Sequence, residues 1–125
     1  MIKLHITSKN YDLGDDVVAY VERKIGRLDR YLPRNSRDLS GQVILELDPS
    51  GREDNKFVCE AIIELPGPNA HAKEATLNIY AAIDIVEAKL KVQIRKYKDK
   101  HSGSRLRRSK DNLQRLFNRG REPGE

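Results

Sequence analysis

The stretch NIYAAIDIVEAKLKVQIRKY (residues 78–97) decides the fold of this 125-residue chain. Its apolar residues recur at spacings of three and four, which is the period of an α-helix with one buried face. They are Ile79, Ile83, Val86, Leu90, Ile94 and Tyr97. A long amphipathic helix needs an apolar surface to pack against, and the segments before it have the pattern of strands. We therefore predict a helix that begins near Asn78 and lies on a β-sheet.

Alternation of apolar and polar residues predicts four strands before that helix. They cover residues 2–7, 42–48, 56–65 and 70–75, and the last of them alternates least clearly. The turn signals Pro49-Ser50-Gly51 and Pro66-Gly67-Pro68-Asn69 separate the last three strands. The first strand is separated from them by a long segment with a different period.

That segment predicts a first helix. Asp15 and Asp16 stand where a helix N-terminus favours negative charge, and Pro33 closes the helix. Gly26 within it costs about 1 kcal/mol relative to alanine, so we expect close packing there to compensate. The apolar residues of this helix are spaced by three or four, and they are Val17, Val21, Ile25, Leu28 and Leu32.

The order strand, helix, three strands, helix predicts an α+β fold of the form β-α-β-β-β-α. Its four-stranded sheet carries both helices on one face, an architecture that resembles a double-stranded RNA-binding domain. The other sheet face would be polar, lined by Lys3, His5, Gln42, Glu46, Glu60, Glu64 and Lys73. It lacks the aromatic pair with which an RRM stacks unpaired bases. Recognition of a partner therefore falls to the helices.

The basic charge lies at one end of the chain. Residues 88–125 hold thirteen Lys and Arg against four Asp and Glu, whereas residues 1–87 hold eleven against fifteen. Clustered cations favour a polyanionic partner, and we expect shape-dependent binding of structured RNA. The predicted second helix would present a cationic ridge formed by Lys89, Lys91, Arg95, Lys96, Lys98 and Lys100, which continues into Arg105, Arg107, Arg108 and Lys110. The simpler alternative is a solvated helix face, but this excess of cations exceeds what solubility requires.

Other functional classes find little support in the sequence. No run of about twenty apolar residues and no signal-peptide pattern is present, so we expect a cytoplasmic protein that does not enter a membrane. Cys59 is the single cysteine, and its apolar surroundings predict a buried, inert thiol. His5, His71 and His101 fall on separate elements without zinc-ligand spacing. We expect no enzyme activity, no metal, no cofactor and no small-molecule substrate.

Three segments carry a resemblance to a known family. LNIYAAIDIVEAKLKVQIRKYKDKH (residues 77–101) is similar to the signature helix of the bacterial ribosome hibernation promoting factor and ribosome-associated inhibitor family. AYVERKIGRLDRYL (residues 19–32) resembles the first helix of that family, and IKLHITSKNYDL (residues 2–13) its first strand and following loop. The resemblance covers about residues 2–101, and its most specific parts are the runs Tyr-Ala-Ala-Ile-Asp and Arg-Lys-Tyr-Lys.

The resemblance implies a β-α-β-β-β-α domain that binds the rRNA and proteins of the small ribosomal subunit at its decoding region. Such a domain competes sterically with mRNA and tRNA and inhibits translation under stress or in stationary phase. The rRNA-binding residues that the resemblance implies are Arg23, Lys24, Arg27 and Arg30 on the first helix and Lys89, Arg95, Lys96, Lys98 and Lys100 on the second. Asp84 would order the helix or a neighbouring cation. Lys91 stands where the family commonly has Glu, and Gly14 where it often has Thr.

We expect a ribosome-binding domain at residues 1–101 and a basic, flexible tail at residues 102–125 that orders on RNA. Long members of the family add a second domain that pairs two ribosomes, and we expect that domain to be absent from these 125 residues. The sequence leaves open whether the chain is a natural short form or part of a long one.

Two other functions remain open from the sequence. A general double-stranded RNA-binding module would bind any A-form duplex, so free duplex RNA would compete with ribosomal subunits. A sigma-factor modulator, a label that members of the family have carried, would bind RNA polymerase holoenzyme instead.

Overall fold

The computed structural model describes residues 1–32, 38–50 and 55–101. Its elements are β1 (Lys3–Lys9), α1 (Asp15–Lys24), a 3-10 helix (Gly26–Tyr31), β2 (Ser40–Leu47), β3 (Phe57–Ile63), β4 (Ala70–Thr76) and α2 (Ile79–His101). The predicted order β-α-β-β-β-α is confirmed. The expected helix stop at Pro33, the Gly51 end of the first turn signal and the tail at 102–125 lie outside the described residues.

The four strands form one sheet in the order β1-β2-β3-β4. β1 runs parallel to β2, and the other two pairs are antiparallel. The parallel pair follows from the crossover through α1, because a chain that returns over one face of a sheet re-enters it in the same direction. One register row joins Ile6, Val43, Ala61 and Ala72 across all four strands. Both helices therefore pack on the face that this row presents.

The core lies between that sheet face and the two helices. Val43, Leu45, Cys59, Ala61 and Ile63 have no exposed surface on the sheet side. The α2 stripe supplies Ile83, Val86, Leu90 and Ile94, all fully buried, with Ile79 at 5% exposure and Tyr97 packed against the cluster. The predicted apolar face of the second helix is confirmed.

Cys59 confirms the prediction of a buried thiol. It is a free cysteine with no exposed surface, and burial raises its pKa to about 12. A thiol of this kind stays protonated and is a poor nucleophile, since the thiolate is the reactive form.

The first helix differs from its prediction. The α-helix ends at Lys24, and Gly26–Tyr31 continues as a 3-10 helix where we expected α-helix through Leu32. The reason is tertiary: the Gly26 carbonyl accepts a hydrogen bond from the backbone of Ile2 at 2.8 Å, at the start of β1. Gly26 is buried, and a Cβ there would lie 3.3 Å from the Met1 Cε. The expected close packing at Gly26 is thus present.

The amide of Gln93 attaches α2 to the edge of the sheet. Its Oε1 accepts from the backbone N–H of His71 at 2.8 Å, and its Nε2 donates to the carbonyl of the same residue at 2.7 Å. Asn78 caps the N-terminal end of α2, because its Oδ1 accepts a hydrogen bond from the Tyr80 N–H at 2.8 Å. The Gln93 contacts thus hold α2 against β4.

Candidate nucleic-acid interface

Ion pairs join α1 to α2 where the two helices lie side by side. Lys24 Nζ of α1 lies 3.5 Å from Asp84 Oδ1 and 3.7 Å from Glu87 Oε1 of α2. Asp84 therefore contacts a neighbouring cation, which is one of the two roles expected for it. Because Lys24 already has carboxylate partners, it would gain less binding free energy from a phosphate than an unpaired lysine.

A second group of cations surrounds Tyr31, at the end of the 3-10 helix. The Arg30 Cζ, the Lys91 Nζ and the Arg95 Cζ lie 5.0, 5.4 and 5.1 Å from the ring centroid of Tyr31. We call these four residues the Tyr31 cluster. Arg30 comes from the 3-10 helix and the other two cations from α2, so tertiary packing brings them together. Arg95 is exposed, and the cluster is open to a large partner.

The hydroxyl of Tyr31 takes part in the same cluster. An Arg30 Nη donates to it at 3.1 Å. This hydrogen bond, together with the positive charges of Arg30 and Lys91, lowers the pKa of Tyr31 from its ordinary value of 10.0. The hydrogen bond from Arg30 is the largest of these causes, and the two charges act in the same direction.

The group around Tyr20 of α1 differs from the Tyr31 cluster because it includes a carboxylate. Its hydroxyl donates to Asp84 Oδ1 at 2.6 Å, and its ring meets the Tyr80 ring edge-on at 5.0 Å between centroids. Arg23 Cζ lies 5.1 Å and Lys24 Nζ 5.7 Å from the same ring. The hydrogen bond to Asp84 is the main cause that raises the pKa of Tyr20 to about 12. Carboxylates therefore balance the cations at Tyr20.

The structure modifies the prediction of a single cationic ridge on α2. Lys91 and Arg95 project toward the 3-10 helix, whereas Lys89 projects toward β4, where its Nζ lies 2.6 Å from Glu74 Oε2. Ile85 and Val92, seven residues apart on α2, are 38% and 53% exposed. At 100° per residue they lie between the two rows of cations. The cations of α2 thus form two flanks separated by an exposed apolar strip.

Helical spacing assigns the remaining cations to these flanks. Lys98 follows Lys91 by seven residues and belongs to the Tyr31 flank, while Lys96 follows Lys89 by seven and belongs to the β4 flank. Lys96 also lines a surface pocket of about 240 Å³ with Leu65, Pro68, Asn69, Ala70, Gln93 and Tyr97. Arg27 is exposed on the 3-10 helix. The side chain of Lys100 and all of Arg105, Arg107 and Arg108 lie outside the described residues.

Sequence reasoning missed the two aromatic residues that organise the cations. Arg30 and Tyr31 are adjacent, and Tyr20 precedes Arg23 and Lys24 by one helical turn, so aromatic residues inside basic runs were the available signal. That signal could not have identified Lys91 and Arg95 as partners of Tyr31, because they belong to a distant part of the chain.

The opposite pKa shifts of Tyr31 and Tyr20 predict the order of an alkaline titration. Tyr31 should lose its proton before Tyr20, whose pKa is about 12. Because the pKa of Tyr20 is higher in the folded than in the unfolded chain, its protonated hydroxyl contributes to the free energy of unfolding. This contribution is fully present below about pH 10 and is lost as the pH rises toward 12. The lowered pKa of Tyr31 acts oppositely: its contribution exists above about pH 10 and is lost as the pH falls through the folded-state value.

Ultraviolet difference spectroscopy of tyrosinate measures this order. Tyr31→Phe should remove a component that titrates below the ordinary tyrosine pKa of 10.0, and Tyr20→Phe a component that titrates near pH 12. Loss of the component near pH 12 in Tyr31→Phe would show that the two environments are not as described.

Within the described part of the chain, no helix combines the length and the apolar character that a membrane crossing requires. The same residues contain no group of three or more His, Cys, Asp or Glu side chains arranged to hold a metal ion.

Comparison with known proteins gives sequence relatives of consistent description. The ribosome hibernation promotion factor of Lactococcus lactis subsp. cremoris is 36% identical over 100 residues, which cover 78% of this chain and 50% of that protein. The factor of the same name from Staphylococcus aureus is 32% identical over 98 residues, which cover 78% of this chain and 49% of that protein. The chain spans about half the length of these relatives.

Solved structures share the fold. The N-terminal domain of Thermus thermophilus Protein Y superposes with a TM-score of 0.63 at 30% identity, over 77% of this chain and 97% of that one. A ribosomal subunit interface protein from Coxiella burnetii has a TM-score of 0.62 at 21% identity, over 78% of this chain and 98% of that one, and shows the fold alone.

The family described as Sigma 54 modulation protein / S30EA ribosomal protein matches residues 4–102, which include every described strand and both α-helices with only the first residue of β1 left out. The chain belongs to this family.

Proposed function

We propose that this protein is a ribosome hibernation factor that acts in the cytoplasm. It binds the small ribosomal subunit at the decoding region, excludes mRNA and tRNA, and so inhibits translation under stress or in stationary phase. The name that its relatives share, ribosome hibernation promotion factor, supports the general role. The position on the small subunit follows from the family resemblance of residues 2–101.

One observation of the structure carries the proposal: two helical elements bring cations together on the side of the domain that faces away from the sheet. Arg30 from the 3-10 helix and Lys91 and Arg95 from α2 meet at Tyr31. A surface of this kind contacts the phosphates of structured RNA and reads shape in preference to sequence. Ribosomal RNA is a partner of that kind.

The mechanism is occupation of space. The domain is bound through phosphates, and while it is bound the decoding region cannot accept the RNA ligands of translation. No bond is made or broken in this mechanism. The exposed apolar strip at Ile85 and Val92 is compatible with contact to sugar edges or to a ribosomal protein between the two cationic flanks.

Co-sedimentation with vacant ribosomal subunits tests the proposal. The protein should bind the small subunit with one-to-one stoichiometry at near-physiological salt. When mRNA and initiator tRNA are bound to the subunit first, the protein should no longer bind. The large subunit and an excess of free duplex RNA serve as controls. Equal binding to both subunits, unaffected by mRNA and tRNA, would leave a general RNA-binding module and contradict the proposal.

A further inference from the structure

The Tyr31 cluster is unusual in its charge balance. Elsewhere among the described residues, several cations have carboxylate partners: Lys24 with Asp84, Lys89 with Glu74, and the N-terminal amine with Asp29. Arg23 lies over the Tyr20 ring without an ion pair among the described residues, but the Tyr20 hydroxyl donates to Asp84, so a carboxylate belongs to that group as well. In the described part of the chain, no carboxylate lies within ion-pair distance of Arg30, Lys91 or Arg95. The cluster thus gathers three positive charges without a described counterion.

Cation–π attraction alone does not explain this arrangement. A cation over an exposed tyrosine ring gains only a modest amount. The ring has two faces, so among three cations lying 5.0 to 5.4 Å from its centroid at least two share a face and repel each other. An anion between the cations would remove that repulsion.

The chemistry of the three side chains suits a phosphate group. Two guanidinium groups supply planar pairs of N–H donors that match phosphate oxygens, and the Lys91 ammonium is a third donor group on a flexible side chain. Lys91 and Arg95 are four residues apart on α2 and so project side by side, while Arg30 approaches from the 3-10 helix. A phosphate that approaches the cluster would therefore meet donors from both elements.

We propose that Tyr31 is a positioning residue, which preforms the Tyr31 cluster for a backbone phosphodiester of RNA. Its ring holds Lys91 and Arg95 beside Arg30, and its hydroxyl accepts a hydrogen bond from Arg30. The proposal rests on the proposed function for the identity of the RNA, and it adds a role for a residue that carries no positive charge. Lys89, which is paired with Glu74, lies outside this site.

The test uses the full chain and two probes, vacant small ribosomal subunits and a short A-form RNA duplex, each over a range of salt concentrations. Lys91→Ala and Arg95→Ala should each reduce the slope of log affinity against log salt by about 0.7 to 0.9. Tyr31→Leu, which changes no formal charge, should weaken binding roughly threefold to tenfold, because the site then lacks the cation–π attraction that orders its cations. Tyr31→Phe keeps the ring and should recover most of that affinity.

Tyr11→Leu is the matched control. It also removes an aromatic ring, but the Tyr11 ring packs edge-on against Phe57 at 6.3 Å between centroids, and no cation contact is described for it. A double-mutant cycle adds a second readout: Tyr31→Leu should have a smaller effect when Arg95 is already alanine. Independent, additive effects, or an equally weakened Tyr11→Leu, would overturn the positioning role.

Nuclear magnetic resonance of the wild-type protein with the RNA duplex gives a result even if Tyr31→Leu fails to fold. The ring protons of Tyr31 and the Nε–H groups of Arg30 and Arg95 should shift first. Shifts confined to other residues, or their absence at these three, would overturn the site.

The outcomes separate this site from the proposed function. If the wild type binds small subunits with competition by mRNA and tRNA, and Tyr31→Leu binds equally well, the positioning role of Tyr31 is wrong and the function stands. If the wild type ignores small subunits but binds duplex RNA in a Tyr31-dependent manner, the function is wrong and the site stands.

Discussion

Changing Lys89, Arg95, Lys96 and Lys98 together to alanine is expected to weaken binding to the small ribosomal subunit on the order of 100-fold at near-physiological salt. Two of these residues lie on each cationic flank of α2: Lys89 and Lys96 on the β4 flank, and Arg95 and Lys98 on the Tyr31 flank. Removal of each phosphate-binding cation flattens the salt dependence by about 0.7 to 0.9, so the slope should fall by roughly 2 to 3.5. The lower end applies if Lys89 remains with Glu74, because that lysine must leave a carboxylate 2.6 Å away before it can bind a phosphate.

The fold should survive these four changes. Arg95, Lys96 and Lys98 are exposed, and the side chain of Lys89 is half exposed. Pairs of this exposure contribute little to stability. Circular dichroism and urea unfolding would verify that the variant is folded before its binding is measured by co-sedimentation.

A charge-matched control is available on the opposite side of the sheet. Lys3, Lys9, Lys56 and Lys73 all belong to the strand region, and changing them to alanine removes the same formal charge. This variant should retain near wild-type affinity and most of the salt slope. If both variants were equally weakened in affinity, net charge alone would govern binding and the helical interface would be wrong.

Changing Gly41 to alanine is expected to destabilise the fold by about 3 kcal/mol, near the upper end of the usual cost of overpacking. Gly41 is buried in β2, opposite Ile63 of β3 and Leu4 of β1. A Cβ at this position would lie 2.7 Å from the backbone oxygen of Ile62 and 2.8 Å from Ile63 Cδ1. The oxygen belongs to the paired strand, so relief would require the two strands to separate.

Gly14→Ala is the matched control for Gly41→Ala. Gly14 precedes α1 with φ −87°, and a Cβ there would meet nothing within 4 Å. Alanine is a poorer helix cap than glycine, but it also lowers the entropy of the unfolded chain, so the net change should be within about 0.5 kcal/mol. Urea unfolding would measure both free energies of unfolding. A Gly41→Ala variant as stable as Gly14→Ala would show that the β2–β3 approach is looser than described.

The two helices show how far periodicity alone predicts structure. The stripe from Ile79 to Ile94 identified α2 and its buried face, because a helix repeats its own geometry along the chain. The same periodicity predicted α-helix through Leu32, and there it failed. The carbonyl of Gly26 bonds to Ile2 in β1, a partner that local spacing does not reveal.

The candidate site divides in the same way. The sequence shows which residues are cationic and that many of them lie in the second helix. The contacts that these cations make are not readable from the sequence. Lys89 pairs with Glu74 of β4, and Lys24 pairs with Asp84 of α2. The other three, Arg30, Lys91 and Arg95, meet at Tyr31. Each of these contacts joins residues from different elements, except the adjacent pair Arg30 and Tyr31.

The sequence by itself determined the order of the elements, the buried face of α2 and the basic character of its exposed residues, since these depend on near neighbours in the chain. Only the tertiary structure decided that α1 ends at Lys24, that the cations of α2 form two flanks, and that Tyr31 gathers three of the cations. The physical reason is that hydrogen bonds, ion pairs and cation–π contacts act over a few ångströms, and packing on the sheet brings those groups within range.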